Sequence, residues 1–162
     1  MKTLIAIAII FSYGTCHSVK KAVPKSTVVA PFGNDSTLIW MSKTPCFGKC
    51  PVYTIDIHAN GKVIFDGSQN ISKIGTYEKQ LSKGFLDSLT QTFEDAHFFD
   101  FKDNYTAMMT SIPTTFIRFV HDGKDKKIRD YYNAPQTLHE LENRIIEIVN
   151  EDNWTQITQK KQ

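Results

Sequence analysis

Apolar and polar residues alternate from Val52 to His58, with Tyr53, Ile55 and Ile57 on one side and Thr54, Asp56 and His58 on the other. A period of two predicts a strand with one buried face. Ala59-Asn60-Gly61 reads as a turn, and Lys62 to Asp66 as the returning strand. The register follows from the pattern. A two-residue Asn-Gly turn pairs Asp56 with Phe65 and Ile55 with Asp66. A three-residue loop with Gly61 in the left-handed conformation pairs Ile57 with Val63 and Ile55 with Phe65. A slip of one residue sends every side chain to the other face, so the second register is expected. Thr37 to Met41 is a short apolar strand ahead of this hairpin, and Ile71 to Glu78 a further strand behind it.

The period then changes. Phe85, Leu86, Leu89, Phe93 and Ala96 recur at helical spacing behind Ser82, a residue suited to the N-cap. Gly84 weakens this helix slightly. Phe98, Phe99, Phe101 and Tyr105 form an irregular aromatic stretch. Thr114 to Val120 is strand-like, Asp122-Gly123 makes a second hairpin turn, and Lys126 to Tyr132 returns. Pro135 suits the first position of a second helix, whose stripe is Leu138, Leu141, Ile145, Ile148 and Val149. The order ββββ-α-ββ-α predicts an α+β domain, an antiparallel sheet with two helices packed on one face.

The N-terminus follows other rules. Lys2 and the apolar run Leu4 to Phe11 resemble a secretory signal. The run falls well short of the ~20 residues that cross a bilayer. Ser12-Tyr13-Gly14 offers small residues to an ordinary signal peptidase, whereas Tyr13-Gly14-Thr15-Cys16 resembles a lipobox that ends in a lipidated cysteine. Parity favours lipidation. Of the three cysteines, acylated Cys16 leaves Cys46 and Cys50 as a close pair in an oxidising compartment. Residues 1–16 are thus expected to be signal peptide, 17–33 a tether with Pro24, Pro31 and three lysines, 34–154 one domain, and 155–162 a polar tail. Such a tether holds the domain up to ~50 Å from a bilayer at ~3.1 Å per extended residue. The expected location is a bacterial cell envelope, on its periplasmic or surface face, with the membrane engaged through lipid. Simple secretion or a soluble periplasmic protein is the alternative.

Composition narrows the classes. At 162 residues with 41% hydrophobic and 22% charged residues, the chain supports one folded domain rather than disorder. A net charge of +2, with the lysines scattered, argues against a nucleic-acid partner. There is no phosphate loop, dinucleotide fingerprint or nucleophile elbow in the sequence.

Thr44-Pro45-Cys46-Phe47-Gly48-Lys49-Cys50-Pro51-Val52-Tyr53, followed by Asn60-Gly61-Lys62-Val63, resembles a bacterial exported family classified as domain of unknown function 6438. The likeness continues through Phe98-Phe99, Tyr105, Pro113-Thr114-Thr115, Asp130-Tyr131 and Ala134-Pro135. It implies an exported α+β domain and brings no known activity. Where this chain has Ser111, the pattern often has an acidic residue, so any role of that acid is missing here.

Cys46 and Cys50 carry the sharpest chemical signal. Compartment and spacing favour a structural disulfide, which for so short a loop is worth ~2 kcal/mol. A redox pair usually has two intervening residues and a helix behind the first cysteine. Three intervene here, and a strand follows. Cys-x-x-x-Cys-Pro is also similar to the copper loop of Sco-type chaperones, and soft thiolates select Cu(I); a third ligand would be His58, His97 or His121. Each histidine also has a plainer reading. His97, beside Phe98, is expected to pack at a helix end. Asp56 and His58 are expected on a solvated strand face. Asp100, Asp103 and Asp130 are candidates for paired carboxylates, and the Phe98–Tyr105 stretch for a ligand groove, though aromatic core is the favoured reading. The expected function is a binding or structural module with an unidentified protein or envelope partner and with no cofactor or catalytic residue assigned. A thiol-based copper or redox protein is the alternative. An enzyme acting on envelope polymers would show a polar cleft near Asp103, Tyr105 and Asp130.

Overall fold

Alternating strands leave one face of a sheet apolar, and amphipathic helices are what can cover it. The computed structural model describes residues 36–108 and 111–157. Its strands are β1 (Thr37–Lys43), β2 (Val52–His58), β3 (Lys62–Gln69), β4 (Gly75–Gln80), β5 (Asn104–Tyr105), β6 (Thr115–His121), β7 (Lys124–Asp130) and β8 (Thr155–Gln156). The helices are α1 (Lys83–Asp95) and α2 (Gln136–Asn150), with a 3-10 turn at Phe98–Asp100. One sheet runs β5-β7-β6-β1-β2-β3-β4-β8. All neighbours are antiparallel except β5 and β7.

The class is α+β, as the pattern predicts, and the element order needs extending. Two short edge strands, β5 and β8, escape a periodicity argument because two residues have no period. Thr155 and Gln156 pair with β4 beyond the expected end of the domain, and the Ile157 N–H donates to the Thr76 carbonyl. The fourth strand also starts later than expected, at Gly75 instead of Ile71. Residues 70–74 instead fold back across β3. A side chain at Gly67 would meet the Lys73 carbonyl at 1.9 Å, so only a glycine fits beneath that crossing.

The β2–β3 hairpin takes the expected register, Ile57 opposite Val63 and Ile55 opposite Phe65, with Gly61 at φ +77. Asn60 Oδ1 accepts from the Lys62 N–H and closes the turn. Asp122 and Gly123 both take positive φ, the pairing a tight two-residue hairpin requires. That turn starts β7 at Lys124, two residues ahead of the expected Lys126. Ser82 caps α1 by accepting from the Phe85 N–H. Pro135 stands one position outside α2, with extended ψ, and its carbonyl accepts from Leu138 and His139.

One hydrophobic cluster joins Ile39, Met41, Ile55, Ile57, Val63, Phe65, Ile117, Phe119 and Ile128 of the sheet to both helices. Leu86, Leu89 and Phe93 come from α1; Leu138, Leu141, Ile145, Ile148 and Val149 come from α2. The aromatic stretch belongs mainly to this core. Phe98 is fully buried, with Phe93, Phe99, Phe101 and Phe119 around it. α2 ends against β4. The Lys79 ammonium donates to the Ile148 carbonyl, pairs with Glu151 and lies over the Trp154 ring. A cation on the last carbonyls of a helix suits its dipole.

Candidate functional site

Residues two apart on a strand share a face, so the core can be followed row by row across the sheet. One row, Ile128–Ile117–Met41–Ile55–Phe65, is apolar throughout. The next row on the same face is Tyr105–Asp130–Thr115–Lys43–Tyr53. Every position there is polar. The row ends the sheet beneath the β1–β2 loop and the first turns of α2.

α2 adds to the polarity. Glu142 lies four residues after Leu138 and three before Ile145, within the apolar stripe, and is 5% exposed. Asp130 is 7% exposed. His139, one turn ahead of Glu142 and half exposed, places Nδ1 3.2 Å from Asp130 Oδ2 and 4.0 Å from Glu142 Oε2. Thr115 hydrogen-bonds to Glu142. The other oxygen of Glu142, Oε1, is buried without a partner.

Two carboxyl groups in contact away from water cannot both ionise cheaply. Burial first, and the Asp130 charge second, push Glu142 up to about 8. Burial also raises Asp130, while His139 and the hydrogen bond from Glu142 oppose the rise. The pair therefore holds one proton near neutrality, carried by Glu142 and shared with Asp130. Burial and the negative charge of Glu142 raise the Tyr53 phenol far above its usual value, so it stays a neutral hydroxyl. Lys43 and Tyr53 also line an adjacent hollow of 340 Å³, with Asn70, Ile146 and Val149.

The β1–β2 loop closes this end. Cys46 and Cys50 are joined in a disulfide with Cα atoms 5.7 Å apart. While the bond is intact neither sulfur is a thiolate, the form that binds Cu(I). Among the described residues, neither group of side chains suited to a metal includes a cysteine. The Thr44 N–H donates to the Thr114 carbonyl and the Phe47 N–H to the Ser111 carbonyl. Asn70 Nδ2 donates to the Cys50 carbonyl. Phe47 itself is 93% exposed.

The family described as a domain of unknown function, DUF6438, matches residues 37–149. The chain belongs to DUF6438. That match spans β1 to the last turn of α2, and so includes both the disulfide loop and the polar row of this DUF6438 domain. No curated protein matches the chain.

The other sequence candidates scatter. Cys16 lies outside the described residues. His97 is corrected: it is exposed, with φ +50, and makes no side-chain cap. Its backbone turns the chain out of α1, where the N–H donates to the Glu94 carbonyl. His58 and Asp56 are half-buried neighbours on β2, with His58 Nε2 3.8 Å from Asp56 Oδ1. His121 pairs with Glu94 at 2.9 Å beside a 230 Å³ hollow that Phe99 also lines. Asp103 is exposed and pairs with Lys126. It lines a shallow 170 Å³ hollow with Asn104, Phe116, Lys127 and Arg129. That hollow takes in Asp103 without Tyr105 or Asp130, so it is not the expected cleft. The carboxylate that does meet Asp130 is Glu142. Its signal in the sequence is a lone acid inside a helix's apolar stripe.

Proposed function

We propose that this DUF6438 domain is an envelope binding module, tethered through lipidated Cys16, that presents the Cys46–Cys50 loop to a protein partner. The observation that carries this is Phe47, a large aromatic at 93% exposure on a covalently closed loop. A single exposed apolar side chain is ordinary on a protein surface. Its setting separates this one from that background. Pro45, Pro51, the disulfide and the bonds to Thr114, Ser111 and Asn70 fix the loop before any partner arrives. A loop fixed in advance loses little entropy on binding, and aromatic anchors dominate interface energies.

The test is a photo-crosslinking residue at the exposed Lys49 position of the full-length protein in its native cells. The expected result is an adduct of one discrete mass that disappears when Phe47→Ser is added. An adduct that persists with Phe47→Ser, or no adduct at all, contradicts the proposal.

A further inference from the structure

We propose that Asp130, His139 and Glu142 bind a divalent transition-metal ion, with zinc as its first representative. The three side chains converge from two elements, the end of β7 and the second turn of α2. One ligand atom from each lies within 4.8 Å of the other two. His139 Nδ1 already stands 3.2 Å from Asp130 Oδ2 and 4.0 Å from Glu142 Oε2. Ligands held at ~2.0–2.1 Å around a tetrahedral zinc ion sit about 3.3 Å from one another. The set therefore stands within about 1.5 Å of the separations a shared ion requires.

Proximity of acids is not sufficient, and a second observation points to a ligand. Glu142 Oε1 is buried, in a residue 5% exposed, and has no hydrogen-bond partner. Buried carboxylate oxygens are normally satisfied, because an unpaired one costs free energy on folding. Oε1 shares its carboxyl carbon with Oε2, the oxygen 4.0 Å from His139 Nδ1. A cation held by both oxygens therefore supplies the missing partner and takes the place of the proton that Glu142 shares with Asp130. The donor set selects the class of ion. One imidazole with two carboxylates suits zinc or a neighbouring transition metal better than magnesium or calcium, which prefer oxygen throughout. Three protein ligands leave a position open, and half-exposed His139 marks the side from which solvent reaches it. The ion would also pin α2 to the edge of the sheet, beneath the disulfide loop.

A second cluster, Glu94, His121 and Asp122, has similar spacing but lies half-buried to exposed. It serves as the internal control.

The experiment is calorimetric titration of Zn2+ into chelator-treated, full-length protein with its disulfide intact. The expected result is one saturable equivalent and a rise in Tm on loading. His139→Ala and Asp130→Asn should each weaken binding more than about tenfold, since even groups that merely support metal ligands contribute 10- to 100-fold. His121→Ala should leave binding unchanged. His139 is half exposed, so its removal spares the core and decides the matter even if Asp130→Asn fails to fold. Absence of saturable binding, binding that survives His139→Ala, or binding lost in His121→Ala overturns the proposal.

Discussion

The row Ile128–Ile117–Met41–Ile55–Phe65 and the row Asp130–Thr115–Lys43–Tyr53 lie side by side on one face of one sheet, two residues apart on each shared strand. Backbone hydrogen bonding is the same in both, and both face the core. They differ in what the side chains ask of their surroundings. The apolar row is satisfied by contact alone, and each of its five residues is fully buried. The polar row needs partners, and Glu142, the acid that α2 sets against it, leaves one of its two oxygens without a hydrogen bond. Neighbouring positions of one scaffold thus serve different ends. The first row provides stability; the second holds costly chemistry at the rim, where α2 and the disulfide loop frame it.

Truncation in the apolar row should have the largest effect. Phe65 is fully buried against Tyr53, Tyr77 and Trp154. Phe65→Ala should lower the unfolding free energy by about 3–5 kcal/mol in a denaturant titration. A loss below about 1 kcal/mol would mean that this row is not where the stability resides.

Breaking the disulfide should cost less. Cys46→Ser removes a short closed loop at the polar end, and a lower Tm is expected, equivalent to about 2 kcal/mol. A loss matching that of Phe65→Ala would instead make the loop part of the core and blur the contrast between the rows.

Only the Ile55–Phe65 end of the apolar row could be read directly from the sequence; its links to Met41, Ile117 and Ile128 are strand pairings that no local pattern marks. Strand alternation at 52–58 and the Asn60-Gly61 turn determine its register, because any slip exposes Ile55 and Ile57. The helical stripes at Leu86–Phe93 and Leu138–Val149 are visible for the same reason. The polar row was legible only in fragments. Asp130 and Tyr105 stand out as residues, but their row is joined to Tyr53 only through the pairing of Lys43 with Thr115, 72 positions apart in the chain. Lys43 and Tyr53 look like ordinary strand ends. Glu142 is hidden by surrounding apolar residues that make its helix face look complete without it. β5 and β8 are too short for any period, and β4 begins late because the chain crosses over Gly67, which is a tertiary contact and leaves no local mark. Cys46 and Cys50 were the exception at this end, since compartment and spacing alone favour their bond.

Glu142 offers the most direct test of the contrast between the rows. Its acid is raised from 4.5 to about 8 in the folded protein. A raised acid stabilises the fold fully below the unfolded value, and this contribution is lost as pH rises through the folded one. The groups facing it are Asp130 from β7, Lys43 from β1, Tyr53 from β2 and His139 from its own helix. In Glu142→Gln the amide still donates to Asp130, but it cannot ionise. Unfolding free energy should therefore be measured against pH for both proteins, with chelator present. The difference curve should be flat below about pH 4.5, rise in favour of Glu142→Gln between about 4.5 and 8, and level off above that. Curves that stay parallel across the whole range would contradict the account, because the polar row would then carry no electrostatic cost.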